Sequence, residues 1–258
     1  MSETDDHQPM LRAPKVVLLL IGVLIGVQAL ISLGGRTVEV AVIVELGLFP
    51  ARFFEPGLEG LPGGFGKGIG NLWTYGLLHG GWAHCLMNSA FLLAFASPVA
   101  QRLGWRRFLV MLILCTAIAG LSEVFVASEA HYLMPIIGAS GGVAGMVGAA
   151  ARFAFQSGAW TTGPEGRAHQ RLLPLSGVFK SGPVLLFIAI WLGANVVFGL
   201  LGPLGMGTPN GAPANIAWVA HMLGFVAGLL LIGWFDKPPL SPSGGPGNVD
   251  YGGWKGRQ

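Results

Sequence analysis

Charge is scarce in this chain. Its 258 residues include 15 Lys and Arg and 12 Asp and Glu, so charged side chains make up 10% of it, where soluble domains carry about a quarter. Cysteine is nearly missing too. Cys85 and Cys115 both lie inside apolar runs, which leaves no disulfide framework and no cysteine metal site. Against these shortages, 52% of the residues are hydrophobic and the mean hydropathy is +0.63. A water-soluble fold of this size has too few charges to solvate the apolar surface left over. A soluble enzyme, a disordered chain and a nucleic-acid binder with a basic face are therefore excluded. The composition is that of a polytopic membrane protein.

Charge-free windows locate the spans, because a helix needs about 20 mostly apolar residues to cross the hydrocarbon core. They predict six helices, over Val16–Gly35, Leu77–Ala100, Phe108–Ala127, Ala130–Ala151, Pro183–Leu201 and Ile216–Phe235. The turn-forming cluster from Gly202 to Gly211 separates the last two. Val38–Phe54 carries Glu39, Glu45, Arg52 and an interrupting Pro50, and is read as an amphipathic segment lying in the interface. The first helix is read as a span and not a signal peptide, since no small-x-small cleavage site follows it. The expected organisation is a tail over residues 1–14, a six-helix domain over 15–235 and a Gly/Pro/Ser-rich disordered tail over 236–258.

Basic residues orient the chain. With the N-terminus inside, Arg12, Lys15, the Arg102–Arg107 cluster, Arg152–Lys180 and the C-terminal Lys and Arg residues are cytoplasmic. Arg36, Arg52 and Lys67 alone fall outside. The acidic start (Glu3, Asp5, Asp6) is unlike an Arg-rich transit peptide, so a bacterial cytoplasmic membrane is the expected location, with both termini cytoplasmic.

Polar side chains inside spans are costly and point to function. The second helix carries His79, His84 and Asn88, the fourth contains Gly138-Ala139-Ser140-Gly141, and the sixth carries His221. These three helices run the same way, which places all of these residues in one shallow outer layer. The expected layer holds no formal charge. Gly141 with Gly145, and Gly224 with Gly228, give helices four and six small faces that permit close packing. Such packing would bring Ser140 to His221, and a serine beside a neutral imidazole is a minimal activated nucleophile. The Ser140 backbone N–H at a helix start, with His84 and Asn88 as further donors, suits an oxyanion. On an ideal helix His79 and His84 point about 140° apart, and no HExxH motif accompanies them, which argues against a metal.

These residues resemble the motifs of the rhomboid family of intramembrane serine proteases. The matching elements are His79-x4-His84-x3-Asn88, Gly138-Ala139-Ser140-Gly141 and Ala220-His221-x2-Gly224, in order across roughly residues 15–235. The resemblance implies an all-helical six-span bundle with Ser140 as nucleophile and His221 as general base. It also implies oxyanion donors from His84, Asn88 and the backbone of Ala139 and Ser140, with His79 in support. Two family features are absent. A Trp-Arg pair expected nine positions before the first histidine is replaced by Gly70-Asn71, and the aromatic four residues after the serine is Ala144. Trp191 and Trp218 are the candidate rings to steer the imidazole instead.

The activity implied is hydrolysis of peptide bonds in or near transmembrane helices weakened by Gly or Pro, with no cofactor, no metal and no nucleic acid. Partners are membrane protein substrates and the lipid bilayer. Two other readings exist. One is a catalytically silent relative that binds membrane helices, disfavoured because both Ser140 and His221 are present. The other is a small transporter, which would want carboxylates among the spans; Glu123 and Glu129 lie instead at the outer end of the third.

Overall fold

A computed structural model describes residues 13–55, 57–156, 170–201 and 218–236. The described residues are helical, with one isolated antiparallel bridge between Leu48 and Ile136. The helices are α1 (Lys15–Leu46), α2 (Ala51–Phe54), α3 (Gly64–Thr74), α4 (Trp82–Phe91), α5 (Ser97–Val126), α6 (Ser140–Ala151), α7 (Leu175–Val178), α8 (Gly182–Leu201) and α9 (Trp218–Phe235). Among them Lys15–Leu46, Trp82–Val126 and Trp218–Phe235 are long and apolar enough to cross a membrane. Ser140–Ala151 and Gly182–Val197 are apolar but shorter. This is a helical membrane protein.

Two long helices are broken internally. In α1 the break is Gly35, at φ 71° and ψ −173°, where the expected first span ends. The chain from Trp82 to Val126 is continuous through one π-turn at Leu92–Ala96, and Gly104 interrupts it with φ 73° and ψ 160°. An L side chain rarely takes that conformation, and glycine takes it without steric cost. Leu92 and Leu112 line one apolar cavity of about 130 Å³ together with Leu24 and Val143. Twenty residues of straight helix would hold them about 30 Å apart. The chain therefore doubles back at Gly104.

Two expectations about the fold need correction. Val38–Phe54 is not one interfacial helix: α1 continues past Gly35 to Leu46, and Gly47 and Pro50 then separate it from α2. Nor is Ala130–Ala151 helical throughout. The stretch before Ser140 is irregular apart from one 3-10 turn at Glu129–His131. Hydropathy sees only that this stretch is apolar, whereas Pro135 and Gly138 (φ 125°) prevent a continuous helix. The N-terminal tail, the turn over residues 202–211 and the tail after Asp236 lie outside the described residues. Asp236 itself is anchored.

Helix α6 occupies the centre, and every residue from Gly141 to Ala151 is buried. Side chains this small let the neighbouring helices come close. A Cβ on Gly145 would lie 2.5 Å from the Cys115 Cβ of α5, and one on Gly224 or Gly228 would collide with the backbone carbonyl of Gly141 or Gly145. At the far end of α6 the buried Arg152 donates to Leu173 O at 2.8 Å and Leu229 O at 3.1 Å. Arg102 grips Asp236 with two bonds of 2.9 and 2.7 Å, and also donates to Gln170 O at 2.6 Å. These contacts close the bundle at the end opposite Ser140.

A helix leaves its last four carbonyls without intrahelical donors. At the end of α1 the Gly47 N–H takes Ile43 O, and side chains from α2 and α3 supply the rest. Arg52 donates to Val44 O at 2.5 Å and Gly47 O at 3.0 Å, Asn71 to Glu45 O at 3.1 Å and Thr74 to Leu46 O at 2.7 Å. Arg52 also donates to Asn71 Oδ1 at 2.6 Å, and its guanidinium is buried. The arginine counted by sequence among the outer basic residues is thus an internal clamp, and one of its partners is the Asn71 found where a Trp-Arg pair was expected. Arg52→Met is expected to leave these acceptors unpaired and to cost about 2–3 kcal/mol. A fall in the thermal unfolding midpoint of detergent-solubilised protein would report it.

Candidate functional site

Three helices meet at one end of the bundle: α4, which begins at Trp82, α6, which begins at Ser140, and α9, described from Trp218 onward. Near this end they carry His84, Ser140 and His221. The crossing of α6 and α9 sets the spacing, because a Cβ on Gly141 would lie 3.8 Å from the Ala220 Cβ. Ser140 and His221, each the next residue along from that contact, flank it. Both are half-buried, and among the described residues no hydrogen bond joins them.

Gly138 holds the third side of the site. Its φ is 125°, and a Cβ there would sit 2.8 Å from His84 Cε1, 3.0 Å from His84 Nε2 and 3.6 Å from Ser140 Oγ. The His84 imidazole and the Ser140 hydroxyl therefore border the same bare Cα, which only glycine can provide. Gly138 N–H is fixed to Tyr75 O at 3.0 Å. The first i to i−4 bond of α6 runs from Val143 N–H to Ala139 O at 3.0 Å. The amides of Ser140, Gly141 and Gly142 precede it and have no such partner in the helix, so a positive helix end faces this layer.

The remaining expected residues are placed differently from one another. His79 is buried and meets His84 edge-on, with ring centroids 5.0 Å apart and planes at 78°. The helical-wheel separation of 140° does not apply, because α4 starts only at Trp82 and His79 lies in the preceding loop. No group of three or more His, Cys, Asp or Glu that could hold a metal occurs among the described residues. Asn88 is buried and donates to the His84 carbonyl at 3.1 Å. That bond occupies one of its two amide hydrogens.

Sequence reasoning missed two neighbours of His221. Glu123, near the end of α5, accepts a bond from Ala220 N–H at 2.7 Å and so caps the first turn of α9. The layer expected to be free of formal charge contains a carboxylate one residue from His221. The other neighbour is Asn195 on α8, whose Oδ1 lies 2.8 Å from His221 Nδ1. Neither candidate tryptophan takes this place. Trp191 stacks on Phe225 at 4.6 Å and packs against the small Ala144, while Trp218 is exposed. Asn195 could have been found by its polarity within an apolar span.

Close-packed helices with serine, histidine and asparagine gathered at one end define a class: helical membrane proteins with a polar site sunk between spans. The family model for the rhomboid domain matches residues 68–237, more than half of the chain, and the chain belongs to the rhomboid family. That family comprises intramembrane serine proteases and inactive relatives. No individual curated protein matches the sequence.

Proposed function

We propose that this protein is an intramembrane serine endopeptidase that cuts membrane protein substrates in or near their transmembrane helices. The observation that supports this reading is that Ser140 and His221 flank the α6–α9 contact while Ser140 and His84 border the Cα of Gly138. His221 takes the Ser140 Oγ proton as that oxygen attacks the scissile carbonyl, and returns it to the leaving amine. The new oxyanion faces the free amides at the start of α6, with His84 and the second amide hydrogen of Asn88 as further donors. His79 supports His84 from behind. Each proton and each charge is handled by side chains and backbone of this chain, so the chemistry needs no cofactor.

The substrate helix has to unwind before a carbonyl can be attacked, since helical hydrogen bonding shields it. Substrates are accordingly membrane helices weakened by Gly or Pro. In this reading the chain crosses a bacterial cytoplasmic membrane six times, with both termini in the cytoplasm. The breaks at Gly35 and Gly104 support that path. Each ends one apolar run and begins another, and the basic cluster Arg102–Arg107 surrounds the second.

Labelling with a fluorophosphonate tests the activity. Purified wild-type protein is expected to acquire one covalent adduct, and peptide mapping by mass spectrometry is expected to place it on Ser140. An unlabelled protein, or an adduct on another serine, would overturn the reading in favour of a silent helix-binding relative.

A further inference from the structure

The proposed dyad leaves one question of geometry open: what holds the imidazole in a reactive state. A neutral histidine has two tautomers, and only the one with a bare Nε2 can accept the Ser140 proton once Nδ1 is engaged elsewhere. Packing alone does not select between them. A hydrogen-bond partner on the far nitrogen does.

Asn195 is such a partner, and its own orientation is determined. Its Nδ2 donates to the Trp191 carbonyl one turn earlier in α8, at 2.8 Å. With the NH2 end committed there, the end facing His221 is the oxygen, 2.8 Å from Nδ1. An amide oxygen can only accept. The hydrogen between the two groups must therefore belong to His221 Nδ1, which leaves Nε2 with its lone pair free. The contact is supported on one side by the Trp191–Phe225 stack, formed by the residues one turn before Asn195 and one turn after His221. Two adjacent pairs thus fasten α8 to α9 side by side, one apolar and one polar.

We propose that Asn195 is a positioning residue that fixes the tautomer and orientation of His221, extending the Ser140–His221 dyad to a triad of Ser, His and Asn. This rests on the protease reading above. The proton balance is simple. Ser140 Oγ–H passes its proton to Nε2, giving an imidazolium whose Nδ1–H still donates to Asn195 Oδ1. The proton on Nε2 then leaves with the amine. Asn195 neither gains nor loses a proton, so its part is orientation and stabilisation of the cation through its amide dipole. In this chain, where position 144 is Ala, this bond takes over the steering of the imidazole.

The test uses the full-length protein in detergent, with nitrogen NMR of 15N-histidine and fluorophosphonate inactivation kinetics. The His221 resonances are assigned by their loss in His221→Ala. Wild-type His221 is expected to show a protonated Nδ1 and an unprotonated Nε2. Asn195→Leu is expected to lose that preference and to inactivate about 10- to 100-fold more slowly at saturating reagent, with the half-saturating concentration within about threefold of wild type. Asn195→Asp, which keeps an acceptor oxygen, is expected to recover the Nδ1–H tautomer. The proposal is overturned by a wild-type Nε2–H tautomer, which needs no variant to fold. It is overturned equally by an Asn195→Leu rate equal to wild type, or by a slower rate with the tautomer unchanged, which would mark a purely structural effect. If wild type does not react with the fluorophosphonate at all, the protease reading fails, and the tautomer measurement still decides the role of Asn195.

Discussion

Gly228→Leu is expected to leave almost no folded protein. The Gly228 Cα lies against the backbone of Gly145, so that even a methyl group would collide with the Gly145 carbonyl and meet its Cα at 2.7 Å. The obstacle is main chain in the middle of a helix, and no rotamer change removes it. Relief requires α9 to move off α6, which would dissolve the contacts of the central helix. Overpacking a well-filled core costs about 1–3 kcal/mol when side chains can adjust, and here they cannot. Expression as a monodisperse species in detergent is the measurement, and recovery of wild-type yield would refute the account. Gly26→Ala in α1 supplies the contrast. A Cβ there meets nothing within 4 Å, and the helix-propensity gain of up to about 1 kcal/mol predicts unchanged or higher stability.

Ser140→Ala is expected to do the reverse, keeping the fold and abolishing the chemistry. The side chain stands at the first position of α6 without a hydrogen-bonding role in the helix cap. Its removal deletes one oxygen and keeps the Cβ of this half-buried position in place, so the unfolding midpoint should stay within about 1–2 °C. Cleavage of a reporter with a Gly- and Pro-interrupted transmembrane helix should drop by about 10⁴-fold or more, to background, as removal of a nucleophile does in serine proteases. His221→Ala should fall by a similar factor, since the two residues act as a unit and their losses do not add. Residual turnover above a tenth of wild type in Ser140→Ala would exclude it as the nucleophile.

Much of this architecture is legible in the sequence because a bilayer imposes simple rules. Runs without charge mark α1 up to Gly35, α8 and the described part of α9, since few other segments of that length tolerate burial in lipid. The Gly141/Gly145 and Gly224/Gly228 spacing signals a close crossing for the same reason that a Cβ would not fit there. What hydropathy cannot register is backbone conformation. Residues 130–139 are apolar enough to pass for half a span, yet Pro135 and the positive φ of Gly138 keep them irregular. A helix wheel does not describe His79, because α4 begins three residues after it. Arg52 enters the sequence reading only as one of three basic residues on the outer side, because a count of charges does not reveal which carbonyls lie within its reach. Asn195 carries no charge to mark it within an apolar span, although an amide suffices to hold an imidazole.

The shortness of α6 has a consequence of its own. Twelve residues rise about 18 Å, against a hydrocarbon core of about 30 Å. A helix that starts at Ser140 and reaches one face of the bilayer therefore begins about 12 Å below the other. The irregular chain before it fills that gap with backbone amides and carbonyls, which are tolerated at such depth only where protein or water meets them. Placed against one face, a helix this short leaves about 12 Å of a leaflet of about 15 Å to irregular chain, so the length of a single helix sets the depth at which its first residue lies. In a hydrolase of membrane helices, that depth is also a ruler. If the proposed activity holds, it would set how far below the surface a substrate's bond must lie to be cut, before any side chain of the substrate is read.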